Sequence, residues 1–332
     1  MTSALRLGTR RSALAMAQSG HVADALAAAS GRPVELVPIV SEGDVSRASL
    51  ASLGGTGVFA TRLREALLAG ECDLLVHSLK DLPTAQPPGL VIAATPTRED
   101  ARDVLVTRDG TPIDALPEGA LVGTGSPRRA AQLRRRNPRV VVQDLRGNVD
   151  SRLGRVRDGE LDAVILAAAG LARLGVAHDD LRFESLELAA WPTAPGQGAL
   201  AVEIREDAPA ELAAAVALLD DEPTRVAITA ERTVLTVLEA GCHAPVGAHA
   251  EVIGEELHLQ AVVYTLDGLH RIAADRTFAL GPGYAREPGS SNGANAADGA
   301  NPIARAARAG SDVARRLLER GAADIVPRES TP

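Results

Sequence analysis

A hydroxyl, an ammonium and a carboxylate, those of Ser78, Lys80 and Asp81, stand close together at the end of an apolar stretch. The segment reads His77-Ser78-Leu79-Lys80-Asp81-Leu82-Pro83. Lys80 is the only lysine in the 332 residues, which contain 34 arginines. A compact ammonium is a point charge that a planar guanidinium cannot replace, so this composition favours a function for Lys80 over chance survival. Asp81 is able to accept N–H hydrogen bonds and stabilise a developing cation, although a structural ion pair or an Asx turn before Pro83 explains the spacing equally well.

Basic residues are concentrated in one stretch of an otherwise acidic chain. The formal net charge is −8, yet ten arginines and only two carboxylates lie between Arg128 and Arg157. This stretch therefore carries a charge of about +8, and its natural partner is an anion. Aromatic residues are only 2% of the chain. Scarce aromatics and the acidic balance argue against a nucleic-acid partner.

A glycine turn precedes two of these arginines in Gly123-Thr124-Gly125-Ser126-Pro127-Arg128-Arg129. The pattern predicts a strand end followed by a helix, with Ser126 as the N-cap and Pro127 in the first turn. Such a helix start presents free N–H groups to an anion, and arginines in the first turn cost stability unless an anion compensates. A solvated helix start is the alternative. Because Arg10-Arg11-Ser12 repeats the pattern, we favour anion binding.

A further arginine group, Arg146-Gly147-Asn148 followed by Arg152, stands after another expected strand, on the side where open α/β sheets bind ligands. Guanidinium groups bind carboxylates bidentately, so several in one cleft imply a ligand with several carboxylates. The consecutive residues 134–136 are also arginines. Three in a row around a helix cannot all face one site, and we expect them to be mostly solvated.

Cysteine and histidine give weaker signals. Cys242 follows an expected helix end, where the dipole raises the pKa of a thiol, so it is not a dipole-activated thiolate. A lone cysteine is usually core filler, and the residues alone leave the role of Cys242 open. The seven histidines show no metal-ligand spacing, and we predict no metal.

Strand and helix patterns alternate over the first two thirds of the chain, which predicts two α/β lobes with parallel sheets and a cleft between them. The polar, Gly- and Ser-rich passage 41–57 is a candidate lid. The last third predicts a helix from about Pro223, an antiparallel meander and a helix over 312–320. Residues 281–301 have almost no apolar content beyond alanine, which predicts a flexible insertion.

Location is predicted from what the sequence lacks. It shows no secretory signal pattern and no run of eighteen apolar residues. We therefore expect a cytoplasmic protein that does not bind a membrane.

Seven motifs, in chain order, carry a resemblance to a known family: GTRRSALA, HSLKDLP, GTGSPRR, LRGNVDSRL, LAAAGLARLG, PGQGAL and EAGCHAP. Over nearly its whole length the chain resembles porphobilinogen deaminase, also called hydroxymethylbilane synthase. The resemblance implies a transferase that polymerises four porphobilinogen molecules head to tail, with release of ammonia, into the linear tetrapyrrole hydroxymethylbilane. It implies a monomer whose partners are porphobilinogen and the growing polypyrrole chain.

The family fold implies two doubly wound, periplasmic-binding-protein-like lobes and a smaller α+β third domain with an antiparallel sheet. Domain 1 then comprises residues 1–98 and 198–217, because the chain returns to the first sheet after the second lobe. Domain 2 comprises residues 102–193, and domain 3 comprises residues 221–332.

The resemblance also implies site residues. Cys242 forms a thioether to a dipyrromethane cofactor built from the substrate, and Asp81 is the catalytic carboxylate. Expected cofactor contacts are Ser78, Lys80, Thr124, Ser126, Arg128, Arg129, Ala169 and Gly198. Expected substrate contacts are Arg10, Ser12, Phe59, Arg146, Arg152 and Gln197.

The sequence departs from the family pattern at a few places beside these residues. Thr56 stands where a lysine is usual, Gly125 replaces a serine, and Pro127 replaces an apolar residue. His243-Ala244 replaces a commoner Gln-Val after the cysteine. The main alternative function is a non-catalytic, two-lobed cytosolic protein that binds an anion or effector. An RNA binder using the arginine-rich stretch is the second alternative.

Overall fold

A computed structural model of the chain describes residues 4–40, 58–176, 179–241, 244–281, 284 and 301–326, apart from the side chains of residues 58 and 59. The candidate lid, Cys242, His243, the side chain of Phe59 and most of the predicted insertion lie outside the described residues.

The first sheet has the strand order β2-β1-β3-β10-β4, in which β10 is the later segment Leu200–Arg205. Its elements are β1 (Leu5–Arg10), α1 (Ala13–Ser30), β2 (Val34–Ile39), α2 (Val58–Leu68), β3 (Leu74–Ser78) and β4 (Leu90–Ala94). Leu5, Leu7, Leu74 and Val76 point apolar side chains into a core shared with Leu26 of α1. Because β1 and β3 are parallel neighbours, their carboxyl ends lie at the same edge of the lobe.

The second sheet has the order β7-β6-β8-β5-β9. Its elements are β5 (Asp103–Thr107), β6 (Leu121–Gly123), α3 (Pro127–Arg136), β7 (Val141–Gln143), α4 (Val149–Arg157), β8 (Ala163–Ala167), α5 (Ala168–Arg173) and β9 (Arg182–Leu186). Every residue of β5 is buried, which is why the strand shows no alternation of polar and apolar side chains.

Both sheets are mixed, so the expectation of parallel sheets is confirmed for β1 to β3 and for β6 to β8 but was wrong for the pairings of the other strands. The chain leaves the second lobe and re-enters the first sheet as β10 (Leu200–Arg205), which runs antiparallel to both β3 and β4. In the second sheet β5 is antiparallel to β8 and β9. The alternation of strands and helices gives no information on the direction of a strand that pairs with distant residues.

The third sheet is the predicted antiparallel meander, β11 (Val246–Ile253), β12 (Glu256–Tyr264) and β13 (Arg271–Ala279). After β10 come α6 (Ala210–Ala217) and α7 (Glu222–Val237), and the described chain ends with α8 (Pro302–Glu319) and α9 (Ala322–Ile325). Helices α7 and α8 pack on the meander around one apolar core. The predicted fold class, two α/β lobes and a smaller α+β domain, is confirmed.

Helix α8 begins ten residues before the predicted start. Asn301 caps it by accepting from the Ile303 N–H at 2.9 Å, and Pro302 occupies the first turn. Within the described ranges no helix is both long and apolar enough to cross a membrane.

Candidate active site

A cleft of about 940 Å³ lies between the two lobes. Its basic lining residues are Arg10, Lys80, Arg129, Arg146, Arg152 and Arg173, and its carboxylates are Asp81, Asp144 and Asp150. Cations therefore outnumber carboxylates two to one in a protein whose net charge is −8. Such a cleft attracts anions.

The turn that follows β3 carries the central groups. Residues Leu79–Asp81 form one 3₁₀ turn, in which Leu79 is fully buried and anchors the turn while Asp81 is exposed to the cleft. The half-buried Lys80 donates from Nζ to Gln197 Oε1 at 3.2 Å. Burial and the neighbouring Arg129 lower the pKa of Lys80 to about 8, against the opposing effect of Asp81. Lys80 thus stays a cation at neutral pH but loses its proton more readily than an ordinary lysine.

Helix α1 begins beside this turn. Ser12 is its N-cap, as predicted, and its Oγ accepts from the Ala15 N–H at 3.3 Å. Arg10 ends β1, and both Arg10 and Ser12 line the cleft. The first turn of α1 therefore faces the ligand space with a cation beside it.

Helix α3 begins on the opposite wall. Ser126 accepts from the Arg129 N–H at 3.4 Å, and Pro127 occupies the first turn, as predicted. Thr124 Oγ1 accepts from the Ser126 N–H at 3.2 Å, which fixes the glycine turn. Ser126 and Arg129 line the cleft, whereas Thr124 is buried behind them.

The anion that compensates the two first-turn arginines is Asp103, which the sequence reasoning missed. The carboxylate of Asp103 is fully buried and accepts from Arg128 Nη2 at 2.9 Å and Arg129 Nη2 at 2.6 Å. It also accepts from Trp191 Nε1 at 2.9 Å and Gln197 Nε2 at 2.8 Å. Although burial by itself raises the pKa of Asp103, the two guanidinium groups hold it well below the usual range. Arg128 also donates from Nη1 to Gln132 Oε1 and to the Pro192 carbonyl, so its hydrogen bonds lie behind the cleft wall.

Helix α4 and its preceding loop supply the next cations. Asn148 caps the helix by accepting from the Ser151 N–H at 2.8 Å, and Arg152 Nε donates to the Gly147 carbonyl at 2.8 Å. Burial and the nearby Arg129 lower the pKa of Arg152. Arg146 also lines the cleft, with Asp144 4.0 Å from its Nε.

Arg173 is a cleft residue that sequence reasoning did not single out. It donates from Nη2 to the Gly198 carbonyl at 2.6 Å, and burial lowers its pKa. Gly198 has φ +87°, and a Cβ there would lie 2.4 Å from the Glu99 carbonyl oxygen. Only glycine fits, because this conformation and close approach both exclude a side chain. The arginine in LAAAGLARLG was a possible signal, but the motif's apolar composition concealed it.

The structure brings most of the expected site residues together in one cleft: Arg10, Ser12, Ser78, Lys80, Asp81, Ser126, Arg129, Arg146, Arg152, Ala169 and Gly198. Three others, Thr124, Arg128 and Gln197, are buried behind its wall. Neither Cys242 nor the side chain of Phe59 falls within the described residues. The expectation of solvated arginines at 134–136 is met, since all three are exposed, although each also donates a hydrogen bond.

The donor set fits a ligand with several carboxylates. Guanidinium and ammonium groups converge on the cleft from both lobes, and Arg129 Nε is buried without a hydrogen-bond partner among the described residues. A buried unpaired donor is costly, and a bound anion nearby offsets that cost.

Comparison with protein families matches residues 5–213 to the porphobilinogen deaminase, dipyromethane cofactor binding domain. Residues 226–319 match the porphobilinogen deaminase C-terminal domain. The chain belongs to the porphobilinogen deaminase family. The residues that match the cofactor binding domain, 5–213, include both lobes around the cleft.

Two relatives agree with this membership, and a solved structure shows a much weaker likeness to the chain. A porphobilinogen deaminase of Leifsonia xyli is 52% identical over 98% of this chain and 94% of its own length. Porphobilinogen deaminase 1 of Streptomyces coelicolor is 56% identical over 80% of this chain and 85% of its own. A periplasmic binding protein of Salmonella typhimurium with arginine specificity is 14% identical, with a TM-score of 0.40, over 67% of this chain and 94% of that one. That likeness carries no information on function.

Proposed function

We propose that this chain is a transferase that joins four porphobilinogen molecules head to tail into hydroxymethylbilane, on a dipyrromethane primer held by a thioether to Cys242. The overall reaction consumes four porphobilinogens and one water, and releases four ammonia molecules. The observation that carries the proposal is the exposed Asp81 carboxylate in a cleft lined by six cations. Family membership supports the same reaction.

The cations account for binding. Each porphobilinogen carries an acetate and a propionate, so a growing chain accumulates carboxylates. Lys80 on the first lobe and Arg129, Arg146 and Arg152 on the second are placed to receive them. Arginine–carboxylate pairs are strong and directional when water is largely excluded.

Asp81 accounts for the chemistry. When ammonia leaves the aminomethyl group of porphobilinogen, the C–N bond breaks and positive charge spreads over the pyrrole ring. A carboxylate that accepts the pyrrole N–H stabilises this cation more than the neutral substrate, which lowers the barrier. A new C–C bond then forms to a free pyrrole carbon, which loses its proton. When bound, the dipyrromethane supplies the first such carbon.

The roles of the individual residues follow from whether they line the cleft. We assign cofactor contacts to Ser78, Lys80, Ser126, Arg129, Ala169 and Gly198, and substrate contacts to Arg10, Ser12, Arg146 and Arg152, all of which line the cleft. Thr124 and Arg128 act from behind the wall by fixing the start of α3. Phe59 keeps its sequence-based assignment near the rings.

We also propose that the enzyme is a cytoplasmic monomer that needs no metal, membrane or nucleic acid. The histidine spacing supports the absence of a metal, and the acidic net charge and the scarcity of aromatic residues support the absence of nucleic acid.

The test is the stoichiometry of turnover. Purified enzyme incubated with porphobilinogen should release four ammonia molecules for each hydroxymethylbilane formed. The alternative, a non-catalytic anion-binding protein, predicts that porphobilinogen binds and is recovered unchanged. Recovery of intact porphobilinogen in the presence of chain that carries the cofactor would rule the proposed function out.

A further inference from the structure

Gln197 lies on the second of the two chain crossings that join the lobes, between β9 and β10. Its side chain is only 1% exposed and does not line the cleft. Nevertheless its amide contacts both lobes. The Oε1 atom accepts from Lys80 Nζ of the first lobe at 3.2 Å and lies 3.5 Å from Arg129 Nη2 of the second.

The other end of the amide fixes its orientation. Gln197 Nε2 donates to Asp103 Oδ1 at 2.8 Å and to the Ala101 carbonyl at 2.8 Å, and Ala101 belongs to the first crossing. Both of these partners are acceptors, so the NH₂ group must face them, and the oxygen must face the two cations. The Gln197 carbonyl accepts from Arg98 Nε at 2.8 Å, which ties the two crossings together again.

The surrounding charges explain why an amide suits this position. Lys80 faces Arg128 and Arg129 from α3, Asp103 from β5 and Asp81 from its own turn. Asp103 already pairs with both arginines. A neutral oxygen between Lys80 and Arg129 reduces their repulsion without cancelling either charge. A carboxylate in the same place would neutralise the cations and compete with the ligand.

We propose that Gln197 is a positioning residue that binds Lys80 across the hinge and holds its ammonium beside Arg129, so that one ligand carboxylate meets both cations. Gln197 lies on the second crossing and donates to Ala101 of the first. Its contact with Lys80 therefore lies at the hinge that the two crossings form between the lobes. On this proposal Gln197 acts through Lys80, in place of the direct substrate contact that the family resemblance implies. The proposal deepens the proposed function and rests on it for the identity of the ligand.

Lys80 makes the proposal directly measurable. As the only lysine of the sequence, it gives a single side-chain resonance in protein labelled with ¹³C at lysine Cε, and the pH dependence of that resonance reports its pKa. Gln197→Met removes the oxygen that stabilises the ammonium, so the pKa of Lys80 should fall below the wild-type value by about half to one unit. Gln197→Glu places a carboxylate there and should raise it by about one unit or more.

The matched control is Gln132→Met. Gln132 is a buried glutamine of the same network that accepts from Arg128 Nη1 at 2.6 Å and donates to the Pro192 carbonyl, and it has no hydrogen bond to Lys80. This variant should leave the pKa of Lys80 within about 0.3 units of wild type. Equal shifts in the Gln197→Met and Gln132→Met proteins would reduce Gln197 to a packing role and overturn the proposal. If Gln197→Met does not fold, Gln197→Asn, which keeps the amide but shortens its reach, replaces it.

The readout separates this inference from the proposed function, because the titration needs no turnover. A protein that fails to polymerise porphobilinogen but shows the predicted pKa shifts would contradict the proposed function alone. Unshifted pKa values in a protein that polymerises porphobilinogen would contradict the positioning role alone. In the active enzyme, Gln197→Met should also move the alkaline limb of porphobilinogen kcat/KM to lower pH in step with the pKa.

Discussion

Arg232 of α7 donates from Nη2 to the carbonyl oxygen of Pro83 at 2.6 Å. Its Nη1 donates to the carbonyls of Leu82 at 3.1 Å and Leu79 at 3.4 Å. A guanidinium of the third domain thus holds the backbone on both sides of Lys80 and Asp81. The part of the chain that carries Cys242 is thereby linked to the turn that carries Asp81.

Arg232→Met should therefore displace the turn and lower kcat by about tenfold, since a misplacement of about 1 Å in a site is costly. The fold should survive, because the hydrogen bonds that Arg232 donates to this turn all go to backbone carbonyls. Steady-state ammonia release measures the effect. Arg320→Met is the control, because Arg320 likewise donates to a backbone carbonyl, that of Ala273 at 2.6 Å, but away from the turn. Equal activity of the two variants would contradict the role of Arg232.

Asp81→Asn should keep the fold and the bound cofactor but reduce ammonia release on the order of 100-fold. The amide has the size of the carboxylate but lacks the charge that stabilises the cation. Rapid-quench measurement of ammonia release from the first porphobilinogen isolates this step. Turnover within a few-fold of wild type would remove Asp81 from its catalytic role.

The lowered pKa of Lys80 predicts that kcat/KM for porphobilinogen falls at alkaline pH. Its pKa of about 8 lies below the usual 10.5 of lysine, so the ammonium that pairs with carboxylates is present below pH 8 and is lost as pH rises through it. The kcat/KM reports the enzyme before porphobilinogen binds, in which cofactor carboxylates beside Lys80 raise its pKa, so this alkaline limb lies at or above pH 8. Bound substrate carboxylates move the limb of kcat higher still. Lys80→Arg should be less active at every pH, because the guanidinium is larger, and should lack this limb. A limb near pH 8 that persists in Lys80→Arg would assign it to another group.

Asp103→Asn should destabilise the protein by about 3–5 kcal/mol, because it leaves the buried Arg128 and Arg129 without their carboxylate. Urea unfolding measures the loss. Asp207→Asn is the control, since Asp207 forms an exposed pair with Arg205 at 3.1 Å and should change stability by less than about 0.5 kcal/mol. A loss below about 1 kcal/mol for Asp103→Asn would show that other groups compensate the arginines.

Much of the site was predictable because its residues stand in local patterns. Ser12 and Ser126 are helix caps whose signals lie within three residues, and the structure shows both. The turn after β3 was placed correctly because an apolar run ends at Ser78. In each case the neighbours along the chain determine the geometry.

The rest depended on contacts between distant residues. Asp103 is the first residue of a fully buried strand, and it pairs with arginines that lie 25 and 26 positions away. Gln197 joins Lys80 over 117 positions. No local spacing reports such contacts, and the antiparallel entry of β10 was missed for the same reason. The domain bounds stay a prediction.

The most direct test of the central claim is the intact mass of the chain purified from cells that make porphobilinogen. The wild-type protein should exceed its sequence mass by two porphobilinogens less two ammonia molecules, and Cys242→Ser should show the sequence mass alone. Cys72→Ala should keep the added mass, because Cys72 is buried and its burial raises the pKa of its thiol to about 11, which makes it a poor nucleophile. An unmodified wild-type chain, or an added mass that survives in Cys242→Ser, would contradict the account.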